Sequence, residues 1–240
     1  MRTGMPFLAS VSERYGYATD WRAITHPSEP NYLAIVGGST FGVTDDNPPA
    51  VNAAKVGAAP SVFSQALKAG KTAATYVDSM ATPCDLTDSY PYAVKHNPWA
   101  FFASERAACD AYDRDASAFA DAARHNRLPN VGFLIPDLLH DAHDGSLAAA
   151  DAWLRTELTP VLASKDFTSG NLVVLVTADE DDGSSGNRVL TSVLTPRLSH
   201  KVVDTPLTHY SLTRFIAEVL DVTPLGQGAG APDLRTAFGL

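Results

Sequence analysis

Two apolar runs that end in acidic residues constrain the fold of this chain more than any other feature. Residues 130–136 (NVGFLIP) are followed by Asp137, and residues 172–177 (LVVLVT) are followed by Asp179 and Glu180. Continuous apolar runs of this length are typical of parallel strands that are buried on both faces. The chain is therefore expected to contain at least two buried strands, each with carboxylates at its carboxyl end.

Helical patterns alternate with these strands. Ser146 precedes an amphipathic stretch between the two runs, and a second helical pattern begins at His209. Strand and helix in alternation imply a right-handed crossover. We predict an α/β fold with a mainly parallel central sheet and helices on both faces. A length of 240 residues fits one domain, residues 1–240.

The remainder of the chain contains further short elements and two irregular stretches. Helices are predicted at 6–14 and 62–69, strands at 17–24 and 72–77, and a helical or buried segment from 33 to 36. Residues 42–59 are polar and rich in proline and predict a loop. Residues 80–112 contain several prolines and aromatics and predict a long, ordered, lid-like insertion, since such loops are uncommon unless they are functional.

The charge balance limits the classes of partner. A net charge of −9 argues against a nucleic-acid partner, because binding to a phosphate backbone depends on clustered Lys and Arg. No stretch approaches the roughly 18 uninterrupted apolar residues of a membrane span. An acidic protein that acts on an anion needs a local positive source, and bound metal ions are one such source.

The acids at the strand ends predict a metal site. In open α/β sheets the ligand crevice lies outside the carboxyl ends of the strands, so Asp137, Asp179 and Glu180 would meet at one rim if their strands are neighbours. Gathered carboxylates repel one another unless they share protons or cations. Asp141 and His209 add further donors, and this donor set suits Zn²⁺, Mn²⁺, Mg²⁺ or Ca²⁺. The plainer alternatives are a polar turn that caps the next helix, an acidic surface turn, and a structural histidine.

Ser28 is the candidate nucleophile. It lies between two prolines, after a predicted strand, with Asn31 as a nearby amide donor. A serine becomes nucleophilic when a base or a metal lowers its pKa, and no Gly-x-Ser-x-Gly elbow of the lipase type is present. His26 and His96 are further candidate catalytic residues; His96 would contact phosphate or a leaving group, or else is a hydrogen-bonded loop histidine. The glycine-rich residues 37–42 could cradle phosphate, although an ordinary turn is favoured.

The two cysteines, Cys84 and Cys109, allow three interpretations. They could be free thiols, a disulfide or part of a metal site. No CxxC pair accompanies them, which disfavours the metal site. A disulfide is the favoured reading, and it would indicate an exported protein.

Several strings, in this order along the chain, resemble the phosphoesterase family that includes bacterial phospholipases C and acid phosphatases, within the alkaline-phosphatase-like superfamily. They are residues 26–33 (HPSEPNYL), 38–42 (GSTFG), 95–99 (KHNPW), 136–143 (PDLLHDAH), 177–180 (TADE) and 209–212 (HYSL). The resemblance spans most of the chain. It implies a hydrolase of phosphate mono- or diesters, including phospholipids, that uses one or two divalent metal ions and a covalent phospho-enzyme.

The resemblance also implies residue roles. Ser28 would attack phosphorus and Asn31 would hold a phosphate oxygen. The metal that activates Ser28 would be held by Asp179 and Glu180. A second metal, which activates water, would be held by Asp137, Asp141 and His209.

The start of the sequence departs from the family pattern. Such families begin with an apolar strand that ends in an acidic ligand, often Glu-Asn, and this chain is expected to lack that first strand. The residues from Met1 to Met5 contain no signal peptide, while the full-length form is expected to be secreted or held in the cell envelope. The alternatives are a truncated, non-catalytic relative that binds metal or anion, and a metal-free serine hydrolase of carboxyl esters.

Overall fold

Helices cover both faces of two β-sheets in this computed structural model, which describes residues 3–240. The strands are β1 Gly16–Arg22, β2 Ala73–Val77, β3 Asp113–Asp115, β4 Val131–Ile135, β5 Val174–Thr177, β6 Arg188–Leu194, β7 Lys201–Val203 and β8 Leu207–Thr208. The helices are α1 Pro6–Arg14, α2 Ser28–Gly37, α3 Pro49–Val56, α4 Val62–Lys68, α5 Arg106–Tyr112, α6 Phe119–Arg124, α7 Leu147–Ala163, α8 Lys165–Thr168, α9 His209–Leu220 and α10 Leu234–Phe238.

The two sheets differ in strand direction. The smaller has the order β3-β2-β4, and all of its strands are parallel. The larger has the order β5-β6-β1-β7, with β8 also paired to β1. In it β6 runs antiparallel to both β1 and β5, whereas β7 and β8 run parallel to β1. The α/β fold with helices on both faces is confirmed, but "mainly parallel" describes only the smaller sheet.

Both sheets contribute to the same two apolar cores, one on each face. Trp21 of β1, Phe133 of β4 and Leu175 of β5 belong to one core. Leu134 of β4 and Val176 of β5 belong to the other. Side chains that alternate along a strand point to opposite faces, so a strand can contribute to both cores. The sheets are therefore two parts of one layer between two helical layers.

Three sequence predictions about elements are corrected. The strands β4 and β5 are not hydrogen-bonded neighbours: they belong to different sheets, and β5 pairs with β6, a strand that local pattern did not indicate. The predicted loop at 42–59 contains α3, where the prolines stand at the start of a helix and fit its first turn. The irregular stretch 80–112 ends in α5, and the side chains of Trp99, Phe101 and Phe102 are fully buried. Its role as a lid stays a prediction.

The cysteines form a disulfide. Cys84 and Cys109 are bonded, which confirms the favoured reading of the sequence. The bond ties α5 to the irregular segment that precedes it. Within residues 3–240 no helix is long and apolar enough to cross a membrane.

Candidate active site

Ser28 is the first residue of α2. Pro27 precedes it in an extended conformation, as suits a residue that begins a helix, and the side chain of Ser28 is 3% exposed. The first N–H groups of a helix lack intrahelical partners and carry partial positive charge, which favours anions at this end. The Ser28 Oγ faces Glu180, with 3.5 Å between Oγ and Oε1. An anionic group bound at Ser28 would therefore meet the positive end of α2.

Asn31 braces the loop that leads into Ser28. Its Oδ1 accepts hydrogen bonds from the N–H groups of Ile24 and Thr25, and its Nδ2 donates to the carbonyls of Thr25 and Pro27. The side chain is fully buried. The amide is thus committed to backbone groups on the approach to Ser28, and its contact with phosphate stays a prediction.

The acids after β5 lie beside Ser28. Glu180 Oε2 is 2.9 Å from His26 Nδ1, and the other ring nitrogen of His26 is 3.0 Å from Asp181 Oδ1. Burial and the adjacent charge of Asp179 raise the pKa of Glu180. The exposed His26 therefore lies between the carboxylates of Glu180 and Asp181 and contacts both of them.

His96 joins the site from the irregular segment. Its Nδ1 is 3.2 Å from Asp141 Oδ2, and its ring stacks on Tyr32 with 5.3 Å between centroids. Burial raises the pKa of Tyr32 well above its usual value, and the charges of Asp179, Asp141 and Glu180 add to that shift. Since all three carboxylates act on one phenol, acids from the ends of β4 and β5 converge around Tyr32.

The site includes charged residues that sequence reasoning did not select. Asp46 Oδ1 accepts the N–H of Glu29, the residue after Ser28, and Asp46 Oδ2 is 3.0 Å from Lys95 Nζ. The charge of Asp46 also contributes to the raised pKa values of Glu180 and Tyr32. Asp46 lies in a proline-rich loop with no periodic pattern, so no local signal distinguished it.

The other predicted ligands lie in separate groups. Asp137 Oδ1 is 3.0 Å from His140 Nδ1, and Asp78 Oδ2 is 2.8 Å from the same nitrogen. The ligand atoms of these three side chains lie within 4.8 Å of one another, so they could share a cation, and they are distinct from the Asp141–His96 pair. Asp137, Asp141 and His209 thus have different contacting partners, and their roles as ligands of one metal stay predictions.

His209 is enclosed by neutral partners. Its Nδ1 accepts a hydrogen bond from the indole N–H of Trp21, and its Nε2 lies 2.7 Å from the backbone carbonyl of Asp179. Burial lowers the pKa of His209, and the hydrogen bond to Asp179 opposes that shift. In this arrangement His209 supports the backbone that carries Asp179.

The acids beside Ser28 fit a divalent cation. Asp179 Oδ2 is buried and lacks a hydrogen-bond partner among the described residues. An unpaired buried carboxylate oxygen is costly, and a cation satisfies it. Oxygen donors from Asp179, Glu180 and Ser28 suit hard or borderline divalent ions.

The glycine-rich segment after α2 is a turn, as favoured. Gly38 has φ of 68°, and a Cβ there would lie 2.2 Å from the carbonyl oxygen of Leu225. A glycine is needed because two backbones meet closely, and Gln227 donates a hydrogen bond to the carbonyl of Gly38. The segment therefore serves packing.

Comparisons with known proteins identify the family of the chain. The model of the Phosphoesterase family matches residues 1–223. A phosphatidylinositol-3-phosphatase from Mycobacterium tuberculosis is 34% identical over 98% of this chain and 76% of its own length. A phosphate-repressible acid phosphatase from Penicillium chrysogenum is 29% identical, and the match covers 87% of this chain and 53% of that protein.

Solved structures show the same fold at low identity. The structure of a protein in the alkaline phosphatase superfamily from Vibrio parahaemolyticus superposes with a TM-score of 0.61 at 10% identity. The match covers 98% of this chain and 65% of that chain.

Proposed function

Because the chain belongs to the Phosphoesterase family of phosphoric ester hydrolases, we propose that it hydrolyses phosphate monoesters through a phosphoserine at Ser28. The main support for this proposal is the position of Ser28, which lies at the positive end of α2 and faces the carboxylate of Glu180. The names of the relatives support the monoester class, since they describe acid phosphatases and a phosphoinositide phosphatase.

Ser28, Glu180 and His96 have different roles in the proposed reaction. The Ser28 hydroxyl attacks phosphorus and loses its proton toward Glu180, which it faces, while a phosphate oxygen meets the N–H of Ser28 itself. The N–H of Glu29 is already donated to Asp46, and Pro30 has none. The alcohol leaves, and water then hydrolyses the phosphoserine. In this proposal His96 donates a hydrogen bond to the phosphate or to the leaving oxygen, and its contacts with Asp141 and Tyr32 support the role.

A divalent cation would be held by Asp179, Glu180 and Ser28. When bound there, it would stabilise the serine alkoxide and offset the charge of the phosphate. The unpartnered Oδ2 of Asp179 supports this role.

The test is turnover of p-nitrophenyl phosphate with added Mn²⁺, Zn²⁺, Mg²⁺ or Ca²⁺. Ser28→Ala is expected to lower kcat by about 10³-fold or more, because the covalent route is lost. Removal of metal by a chelator is expected to abolish turnover, and readdition to restore it. Trapping of ³²P on wild-type protein, but not on Ser28→Ala, would identify the phosphoserine.

Ser39→Ala is the matched control, because Ser39 lies just beyond the other end of α2 and its hydroxyl bonds only a local N–H. It is expected to keep full activity. Full activity in Ser28→Ala would refute the nucleophile, and a metal-binding wild type without turnover on any ester would favour the non-catalytic alternative.

We also propose that the protein works in an oxidising compartment outside the cytosol. The disulfide between Cys84 and Cys109 supports this, since such bonds are rare where thiols are kept reduced. Fractionation of the source cells with an antibody to the protein would check it. Recovery only from the cytosol would contradict it.

A further inference from the structure

A half-buried ion pair lies beside the turn that carries Ser28. Lys95 Nζ is 3.0 Å from Asp46 Oδ2, and the side chains of Lys95 and Asp46 are 20% and 25% exposed. Asp46 also accepts the N–H of Glu29 through its other oxygen, at 2.9 Å. One carboxylate therefore connects the ammonium group to the first turn of α2.

The charge of Asp46 also acts on two groups of the site. Asp46 contributes to the raised pKa values of Glu180 and Tyr32, so its charge is felt where Ser28 Oγ meets Glu180. Lys95 directly precedes His96, whose ring stacks on Tyr32. The hydrogen bond from Glu29 to Asp46 thus places the Lys95 ammonium group beside the first turn of α2, where Ser28 lies.

The chemistry of the substrate gives this ammonium a role. A phosphate monoester carries close to two negative charges near neutral pH, since its second pKa is about 6, whereas a diester carries one. Acidic residues surround Ser28, and the second charge of a monoester needs its own cation. A Lys ammonium has three donors, so it can keep Asp46 and bind a phosphate oxygen at once.

We propose that Lys95 contacts the non-bridging phosphate oxygen that carries the second negative charge, with Asp46 as its positioning partner, and thereby selects monoesters over diesters. This inference rests on the proposed function and deepens it.

The experiment compares kcat/KM for p-nitrophenyl phosphate and for bis(p-nitrophenyl) phosphate in wild type, Lys95→Met and Lys95→Arg. Lys95→Met is expected to lower the monoester value by roughly 10- to 100-fold, as for the loss of one charge-assisted hydrogen bond, and to change the diester value by less than about 3-fold. Lys95→Arg, which keeps the charge, is expected to retain most of the monoester preference.

Lys55→Met is the matched control. Lys55 lies in α3, pairs with Asp45 at 3.8 Å and has a side chain that is 37% exposed, so its replacement removes a nearby lysine without breaking the ion pair with Asp46. It is expected to leave both values unchanged. Equal losses for the two esters in Lys95→Met, or no loss, would overturn the proposal, because a merely structural role would not change their ratio.

Binding of inorganic phosphate separates this inference from the proposed function. With Mn²⁺ present, Lys95→Met is expected to weaken phosphate binding in calorimetry by roughly 10-fold relative to Lys55→Met. If wild type hydrolyses neither ester, the proposed function fails, and this measurement still decides the role of Lys95. Equal affinities in the two variants would overturn it.

Discussion

Ser28 owes its position to hydrogen bonds made by its neighbours. Asn31 bonds four backbone groups in the loop before it, and Asp46 accepts the N–H of Glu29 after it. Both sets hold backbone in place, so the nucleophile is oriented before any ligand binds. Such preorganisation is what positions a reacting atom within a fraction of an ångström.

Asn31→Ala tests whether the hydrogen bonds of Asn31 hold the loop before Ser28 in place. Loss of four hydrogen bonds to a buried loop is expected to lower the free energy of unfolding by about 2–3 kcal/mol and to lower kcat with it. Urea denaturation and steady-state kinetics measure the two effects. If kcat falls while the free energy of unfolding is unchanged, Asn31 instead contacts phosphate. Asn171→Ala serves as the control, because Asn171 is exposed.

Glu29 is expected to make stability depend on pH. Burial, opposed by the hydrogen bond from Asn52, raises its pKa to about 8. The folded protein then binds a proton that the unfolded chain releases above its ordinary pKa of about 4.5. The associated stability is therefore full below about pH 4.5 and is lost as the pH rises toward 8.

Glu29→Gln removes this titration. The free energy of unfolding of wild type relative to Glu29→Gln is expected to fall between pH 5 and pH 8. Urea denaturation at intervals across this range measures the difference. A difference that stays constant, or rises with pH, would contradict the raised pKa.

At the scale of elements, α1 is capped by another helix. Its own N-cap residue, Met5, makes no side-chain hydrogen bond to the helix. The N–H groups of Phe7 and Leu8 instead donate to the two carboxylate oxygens of Asp151 in α7, each at 2.9 Å. A buried carboxylate at the positive end of α1 thus joins two helices on the same face of the layer.

Asp151→Ala is expected to destabilise the protein by about 1–3 kcal/mol, because two buried N–H groups lose their acceptor. Thermal and urea unfolding measure the loss. Ser146→Ala is the comparison, since Ser146 caps only its own helix α7 and should cost about 1 kcal/mol. A smaller effect for Asp151→Ala than for Ser146→Ala would contradict the cap between helices.

At the scale of the whole molecule, the disulfide restrains the irregular segment that supplies His96. Cys84 and Cys109 close a loop with a sequence separation of 25. We expect the double variant Cys84→Ser/Cys109→Ser to lose about 3 kcal/mol of unfolding free energy. Reduced wild type should match it in urea denaturation, and equal stability of oxidised and reduced protein would contradict the prediction.

Metal should stabilise the folded state as a whole. A cation that binds only the folded protein adds about 2.7 kcal/mol at roughly 100 times its Kd. A bound metal should therefore raise the Tm of the wild type. Asp179→Asn is expected to lose this rise, whereas Asp137→Asn, which lies in the separate group with Asp78 and His140, should keep most of it. Thermal unfolding of the wild type and both variants, with and without Mn²⁺, measures the shifts in Tm. A rise that is lost in Asp137→Asn and kept in Asp179→Asn would place the metal at Asp137.

The local sequence pattern by itself predicted several helices and strands of this protein. Apolar runs and caps predicted β4, β5, α7 and α9 to within a few residues, and the acids that follow the strands indicated where charge would gather. The positions of these elements are right because apolar runs mark the segments that pack against a core. The prediction of a buried parallel strand is wrong for β5, which is half-buried and pairs antiparallel with β6. The start of α2 was not predicted: the helix begins at Ser28, five residues before the predicted segment 33–36, because Pro30 is tolerated in the first turn of a helix.

Only the tertiary structure decided which residues meet. Asp137 and Asp141 lie four residues apart, yet one joins His140 and the other joins His96. Likewise, β5 pairs with β6 rather than with β4. Spacing along the chain cannot choose between such partners, because the choice depends on long-range packing and on charges that segments distant in sequence bring together. The Asp46–Lys95 pair arose in the same way, and so did the cap that Asp151 supplies to α1.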